Sequence, residues 1–204
     1  MIKKLLLTLL CLSSLSTRAQ DNTILVLADS LSASYGIAIE DGWVSLLQNR
    51  LRDQGYTYNV FNASISGDTT HGAKSRLDEI LTETKPDITI LELGGNDGLR
   101  GLPIPEIKSN LGEIIGLLET AGSEILLVPM LLPPNYGKFY IDRFTAIYSE
   151  LAEETATLLS KFILDGIADK PELMQNDGIH PTAEAQIMML ENIWPDLQPM
   201  LSEE

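Results

Sequence analysis

Five short apolar runs punctuate the chain: Thr23–Ala28, Tyr58–Ala63, Ile88–Leu93, Glu124–Met130 and Phe162–Asp165. They are rich in Ile, Leu and Val and mostly lack polar alternation, the pattern of strands covered on both faces in a parallel sheet. Between them the apolar positions change to helical spacing. Trp43, Leu46, Leu47 and Leu51 form one stripe. Ile107, Leu111, Ile114, Ile115 and Leu118 form a second, opened by Pro105 and stopped by Gly122. Phe144, Ile147, Tyr148 and Leu151 form a third, and Pro181 is expected to open a last helix carrying Ile187, Met188, Leu190 and Ile193. These stripes read as core faces and are assigned no chemistry. Strict alternation of strand and helix predicts a doubly wound α/β sandwich over a five-stranded parallel sheet. Its ligand site should lie in the crevice beyond the carboxyl ends of the strands.

One long connection breaks the alternation without a period of its own. From Leu131 to Tyr140, Pro133, Pro134, Asn135 and Gly137 supply turn chemistry beside exposed apolar groups. The segment follows a strand end and can reach the crevice, so Leu132, Pro134 and Tyr136 are candidate substrate contacts; the competing reading is an ordinary surface loop.

The first nineteen residues read differently from the rest. Lys3 and Lys4 give a basic start, Leu5–Leu12 an apolar stretch, and Thr17-Arg18-Ala19 a small-x-small cleavage site. The apolar stretch is too short for a permanent membrane helix, so no stable membrane insertion is expected. The chain therefore divides into an export signal over 1–19 and one domain over 20–204, placed in the periplasm or secreted. Cleavage after Ala19 removes Cys11, the single cysteine, and leaves a chain of about 185 residues held by its core alone. It also removes Lys3, Lys4 and Arg18, leaving 11 basic against 29 acidic residues. That balance argues against nucleic acid and against an electrostatic grip on anionic membranes. The domain is expected to act as a monomer on a small-molecule or lipid substrate.

Polar residues with chemical potential gather just past the strand candidates. Ser30 follows the first run directly and would stand at the mouth of the crevice. Asp29 is better suited to bracing the turn through backbone N–H groups than to catalysis. Gly67 follows the second run, where a missing β-carbon lets a backbone N–H approach a ligand closely. Asn96 follows the third run behind Gly94 and Gly95, and its amide can donate to a developing oxyanion. Near the C-terminus, Asp177 and His180 are spaced so that the carboxylate accepts from one imidazole nitrogen while the other faces a serine. His71 is the rival base, since only two histidines exist; it opens the helix after the second run and reads as a solvated first-turn residue. A nucleophile, oxyanion donors and a carboxylate-oriented base are the parts that ester hydrolysis needs. Asp29, Asn96 and His180 have no recognisable metal-ligand spacing.

Four segments in this order, Ala28-Asp29-Ser30-Leu31, Ser66-Gly67-Asp68, Gly94-Gly95-Asn96-Asp97 and Asp177-Gly178-Ile179-His180, resemble those of the SGNH (GDSL-type) hydrolases. Wider similarity in Leu31–Gly36, Asn62–Thr69, Gly94–Gly101 and Pro134–Gly137 narrows the resemblance to the bacterial periplasmic group described as thioesterase I, protease I, lysophospholipase or arylesterase. The resemblance implies a flavodoxin-like, three-layer α/β/α fold with no metal or organic cofactor. It implies Ser30 as nucleophile, His180 as general base and Asp177 as its orienting partner. It further implies an oxyanion hole made by the Ser30 N–H, the Gly67 N–H and the Asn96 side chain. The substrates implied are carboxylic esters and acyl thioesters of short to medium chain length, with lysophospholipids within the same chemistry.

Two positions depart from the pattern. Ala28 replaces the first glycine of Gly-Asp-Ser-Leu, and Ser34 replaces a usual glycine six residues on. A methyl group at Ala28 is tolerable at a strand end unless φ is positive there, where it would strain the turn before Ser30. These departures motivate the alternative of a non-catalytic lipid- or ligand-binding member of the same fold. A phosphoacceptor domain fits less well, since only Asp29 follows the first run and Lys170 lies beyond the expected lysine position.

Overall fold

The computed structural model describes residues 22–202, so the export signal expected over 1–19 lies outside the described residues. Five strands, β1 (Asn22–Ala28), β2 (Tyr58–Asn62), β3 (Ile88–Glu92), β4 (Glu124–Leu127) and β5 (Leu158–Leu159), pair in parallel in the order β2-β1-β3-β4-β5. The chain leaves β1 toward β2 on one side and returns to β3 on the other. That order therefore puts a topological switch point between β1 and β3. Ile24 to Ala28 and Ile88 to Glu92 are buried throughout, as expected for strands covered on both faces.

Six helices cover the sheet: α1 (Trp43–Asp53), α2 (Thr70–Thr84), α3 (Gly95–Leu99), α4 (Ile104–Thr120), α5 (Lys138–Thr155) and α6 (Gln186–Leu197). Helix α1 packs on α6, while α4 packs on both α2 and α5, giving the two outer layers of a three-layer sandwich. Helices α4 and α5 bury the stripes their sequence periods mark. In α4, Pro105 occupies the first turn and Ile107, Leu111, Ile114, Ile115 and Leu118 are fully buried. Helix α2 is capped by Thr69, whose Oγ1 accepts the Gly72 N–H at 3.2 Å. Truncating any one of the buried leucines to alanine would cost about 2–5 kcal/mol through lost burial and the cavity left behind.

Three elements differ from the sequence reading. The fifth strand is the short pair Leu158–Leu159, and residues 163–165 lie in a turn instead. A four-residue apolar run cannot by periodicity alone be told from a buried turn, and Phe162 and Leu164 bury against the crevice. Strand β4 ends at Leu127; the Val128 N–H still reaches Leu91 O at 2.9 Å, but the next carbonyl of the ladder, Leu93 O, accepts the Tyr148 hydroxyl instead, at 2.9 Å. Pro181 does not open the last helix: it forms an isolated antiparallel bridge with Met174, and a 3₁₀ turn over Ala183–Ala185 precedes α6. The buried face of α6 is Met189, Leu190, Ile193, Trp194 and Leu197, whereas Ile187 is exposed.

Candidate active site

Ser30 stands two residues beyond β1, at the switch point. Its Oγ lies 2.9 Å from His180 Nε2, and His180 Nδ1 lies 2.7 Å from Asp177 Oδ2. An ionised carboxylate can only accept, so Nδ1 donates to Asp177 and Nε2 of the neutral ring is left to accept the Ser30 O–H. The other Asp177 oxygen, Oδ1, accepts the backbone N–H of Ile179 at 2.9 Å and of His180 at 3.0 Å. The N–H groups and imidazole of His180, with the Ile179 N–H, hold the Asp177 carboxyl down to about 2. The Tyr35 ring lies over the imidazole, with centroids 4.2 Å apart and planes at 33°. His71, the rival base, is exposed on the first turn of α2.

The loops after β2 and β3 close around the same point. The Ala63 N–H donates to Val26 O at 2.9 Å and the Ile65 N–H to Ala28 O at 3.1 Å, which lays the second loop beside the first. Gly67 has φ +80°, a conformation that disfavours a β-carbon. The site of its missing β-carbon is otherwise open, with the Arg100 guanidinium nearest at 4.0 Å, so the glycine answers a backbone demand and not crowding. Arg100 Nη2 donates to Gly67 O at 2.9 Å. Asn96, in the first turn of α3, donates from Nδ2 to Asp29 Oδ2 at 3.0 Å. Asp29 Oδ1 accepts the Leu31 N–H at 3.1 Å, so this carboxylate braces the turn on either side of Ser30.

A second acid lies beneath. Glu92, at the end of β3 and opposite Ala28 in register, is fully buried. It accepts the Ser32 hydroxyl at 2.8 Å, and Ser32 Oγ in turn accepts from Trp43 Nε1 at 3.1 Å. Burial pushes the Asp29 carboxyl up to about 6, and burial together with the neighbouring Asp29 charge pushes Glu92 well above the ordinary carboxyl range.

The two departures from the family pattern sit differently. Ala28 ends β1 in extended backbone, so its methyl group imposes no strain on the turn before Ser30. Ser34 is the position with the left-handed backbone, φ 56°. Its hydroxyl fills the space above Gly42, where an added β-carbon would come to 2.1 Å.

Ser30, Asn96 and His180 open onto a crevice of about 500 Å³. Met130, Leu131, Leu132, Pro133 and Pro134 line one part of it, and Phe162, Leu164, Ala168 and Met174 another. Of the candidate substrate contacts, Leu132 and Pro134 lie in this lining. Tyr136 lies outside the lining: its hydroxyl donates to Leu99 O at 2.9 Å, which ties the 131–140 segment to the end of α3. Sequence reasoning missed the far part of the crevice, because Phe162 and Leu164 read as strand residues. It also missed Tyr35, although the aromatic stands within the segment Leu31–Gly36.

Comparison with known proteins adds an independent line. The GDSL-like Lipase/Acylhydrolase family matches residues 29–186. Esterase TesA of Pseudomonas aeruginosa is 46% identical over 192 residues, covering 94% of this chain and 96% of that protein. A crystal structure of TesA, also at 46% identity, covers 88% of this chain and 100% of its own with a TM-score of 0.85. Arylesterase of Vibrio mimicus is 44% identical over 198 residues, 97% of this chain and 98% of its own. Thioesterase 1/protease 1/lysophospholipase L1 of Escherichia coli is 39% identical over 184 residues, 90% of this chain and 87% of its own.

Proposed function

The chain belongs to the GDSL-like lipase/acylhydrolase family, and from that premise we propose that it hydrolyses carboxylic esters and acyl thioesters through an acyl-enzyme on Ser30. The observation that carries this reading is the continuous relay from Ser30 Oγ to His180 at 2.9 Å and on to Asp177 at 2.7 Å. His180 Nε2 takes the Ser30 proton as Oγ attacks the acyl carbonyl carbon. The Ser30 and Gly67 N–H groups and the Asn96 amide receive the oxyanion. His180 returns the proton to the departing alcohol or thiol. Water, deprotonated by the same imidazole, then attacks the acyl-enzyme and releases the acid and free Ser30.

The apolar crevice suits short- to medium-chain acyl groups, and lysophospholipids fall within the same chemistry. Asp177, held down to about 2, stays ionised through the neutral range and so keeps its acceptor for the imidazole N–H. Residues 1–19 act as an export signal and 20–204 as the mature, monomeric enzyme, periplasmic or secreted. In keeping with this, no helix among the described residues is long and apolar enough to cross a membrane.

Intact-mass analysis after a fluorophosphonate probe tests the reading, with Ser30→Ala alongside. The expected result is one adduct on the wild type and none on the variant, with loss of Ser30 or His180 lowering kcat by roughly 10⁴–10⁶ on a p-nitrophenyl ester. Equal turnover by Ser30→Ala and wild type would sink it. A folded wild type that binds lipid yet takes no adduct would favour the non-catalytic alternative.

A further inference from the structure

Gln175 is tied to both of the loops that meet at the Ser30–His180 contact. Its backbone N–H donates to His180 O at 2.7 Å and its carbonyl accepts the Gly178 N–H at 2.9 Å, closing the turn that presents Asp177 and His180. Its side-chain amide nitrogen donates twice, to Pro181 O at 2.9 Å and to Tyr35 O at 2.8 Å. Both acceptors are carbonyls, so only the NH₂ end of the amide can serve them. One side chain therefore joins the residue just after the base to the loop behind Ser30, whose Tyr35 is 140 positions from Gln175 itself. The fit is close: a β-carbon on Gly36 would come to 2.3 Å from Gln175 Oε1.

The start of the loop is anchored at Ser32, through Glu92, Trp43 and the Asn62 amide, whereas its tip is held by local backbone contacts. The Tyr35 N–H reaches Ser30 O at 3.4 Å and the Ile37 N–H reaches Ser34 O at 3.2 Å, both local contacts, and Ser34 between them holds a left-handed backbone. Yet this loop carries the Tyr35 ring that lies 4.2 Å over the imidazole. The carbonyl held by Gln175 belongs to that same tyrosine.

We propose that Gln175 is a positioning residue for the base. It touches no reacting atom. By locking the Tyr35 carbonyl to Pro181 it fixes the ring that covers His180 and the approach of Nε2 to Ser30 Oγ. The proposal rests on the acyl-enzyme reading above, because alignment matters only if His180 takes the Ser30 proton.

The test compares Gln175→Met, which keeps the length and removes the donors, with Gln175→Glu, which keeps the shape and sets carboxylate oxygens against two carbonyls. Turnover of a p-nitrophenyl ester is measured per active site, with sites counted by fluorophosphonate adduct mass. Both variants should lose roughly 10–10²-fold in kcat per labelled site with KM within about two-fold, the signature of misalignment and not of lost binding. A purely structural role would lower the labelled fraction and the melting temperature but leave kcat per labelled site at the wild-type value, and that result overturns the proposal. Wild type that takes no adduct at Ser30 overturns the acyl-enzyme reading and this proposal with it. Labelled wild type with unchanged variants removes Gln175 alone.

Discussion

Asp29 and Asp177 make an instructive pair, one immediately before Ser30 in the chain and the other hydrogen-bonded to His180. Asp177 sits on an exposed turn, accepts two backbone N–H groups and the imidazole, and is held down to about 2. Asp29 is 3% exposed, accepts one backbone N–H and the Asn96 amide, and is pushed up to about 6. The same functional group is thus kept charged by donors in one place and penalised by burial in the other. Only the first has an imidazole N–H to receive. The second is occupied in holding the turn and the amide. Nearness to Ser30 does not by itself make a carboxylate part of the relay; what counts is which donors it already serves.

Exchanging each acid for its amide should pull this pair apart. Asp177→Asn is expected to cost the most, on the order of 10⁴ in kcat, because the amide no longer fixes the tautomer that leaves Nε2 free to accept. Steady-state kinetics read this directly, and a loss below tenfold would mean another group orients the imidazole. Asp29→Asn should act through Asn96 and so cost no more than Asn96→Ala, itself on the order of 10²–10³. The double variant should then match the worse single one; multiplying losses would show that Asp29 has a separate role.

The smallest effect concerns stability. Glu92 has its folded-state pKa raised by burial, so it binds a proton more tightly in the folded than in the unfolded chain. Its contribution is whole below the unfolded value of about 4.3 and is lost as pH climbs toward the folded one. Asp29 works in the same sense up to about 6. Asp177, with a lowered pKa, works in the opposite sense: its contribution is present above the ordinary aspartate value and lost as pH falls toward about 2. Its side chain is 39% exposed, so water screens much of that share. Glu92→Gln should therefore leave kcat nearly unchanged and melt higher than wild type, by a few degrees at about pH 8, with the gap closing toward pH 4. A constant gap across that range would mean that Glu92 titrates alike in both states.

The parts legible in the sequence share a physical character. β1, β2 and β3 announce themselves because their apolar runs are of strand length and are followed by Ser, Gly or Asn turn chemistry. The two residues Leu158 and Leu159 are too few to carry any pattern, and Phe162–Asp165 imitates one. Ser30, Gly67 and Asn96 are legible because each follows a strand end whose direction is known, and Asp177 and His180 because of their spacing and because the chain has only two histidines. Tyr35 and Gln175 are not. Their contacts depend on how two loops fold back on each other, and nothing in a glutamine between Met174 and Asn176 signals that its amide will bridge two carbonyls.

Ser34 and Gly42 carry a last consequence. The hydroxyl of one occupies the place a side chain on the other would need, so the two positions are coupled. With glycine at the first, the left-handed penalty is lifted and the nearest atom a methyl group at the second meets is Ile39 O, at 3.3 Å. In this chain the same methyl group would turn the Ser34 hydroxyl out of its place, so the cost of alanine at 42 depends on what stands at 34.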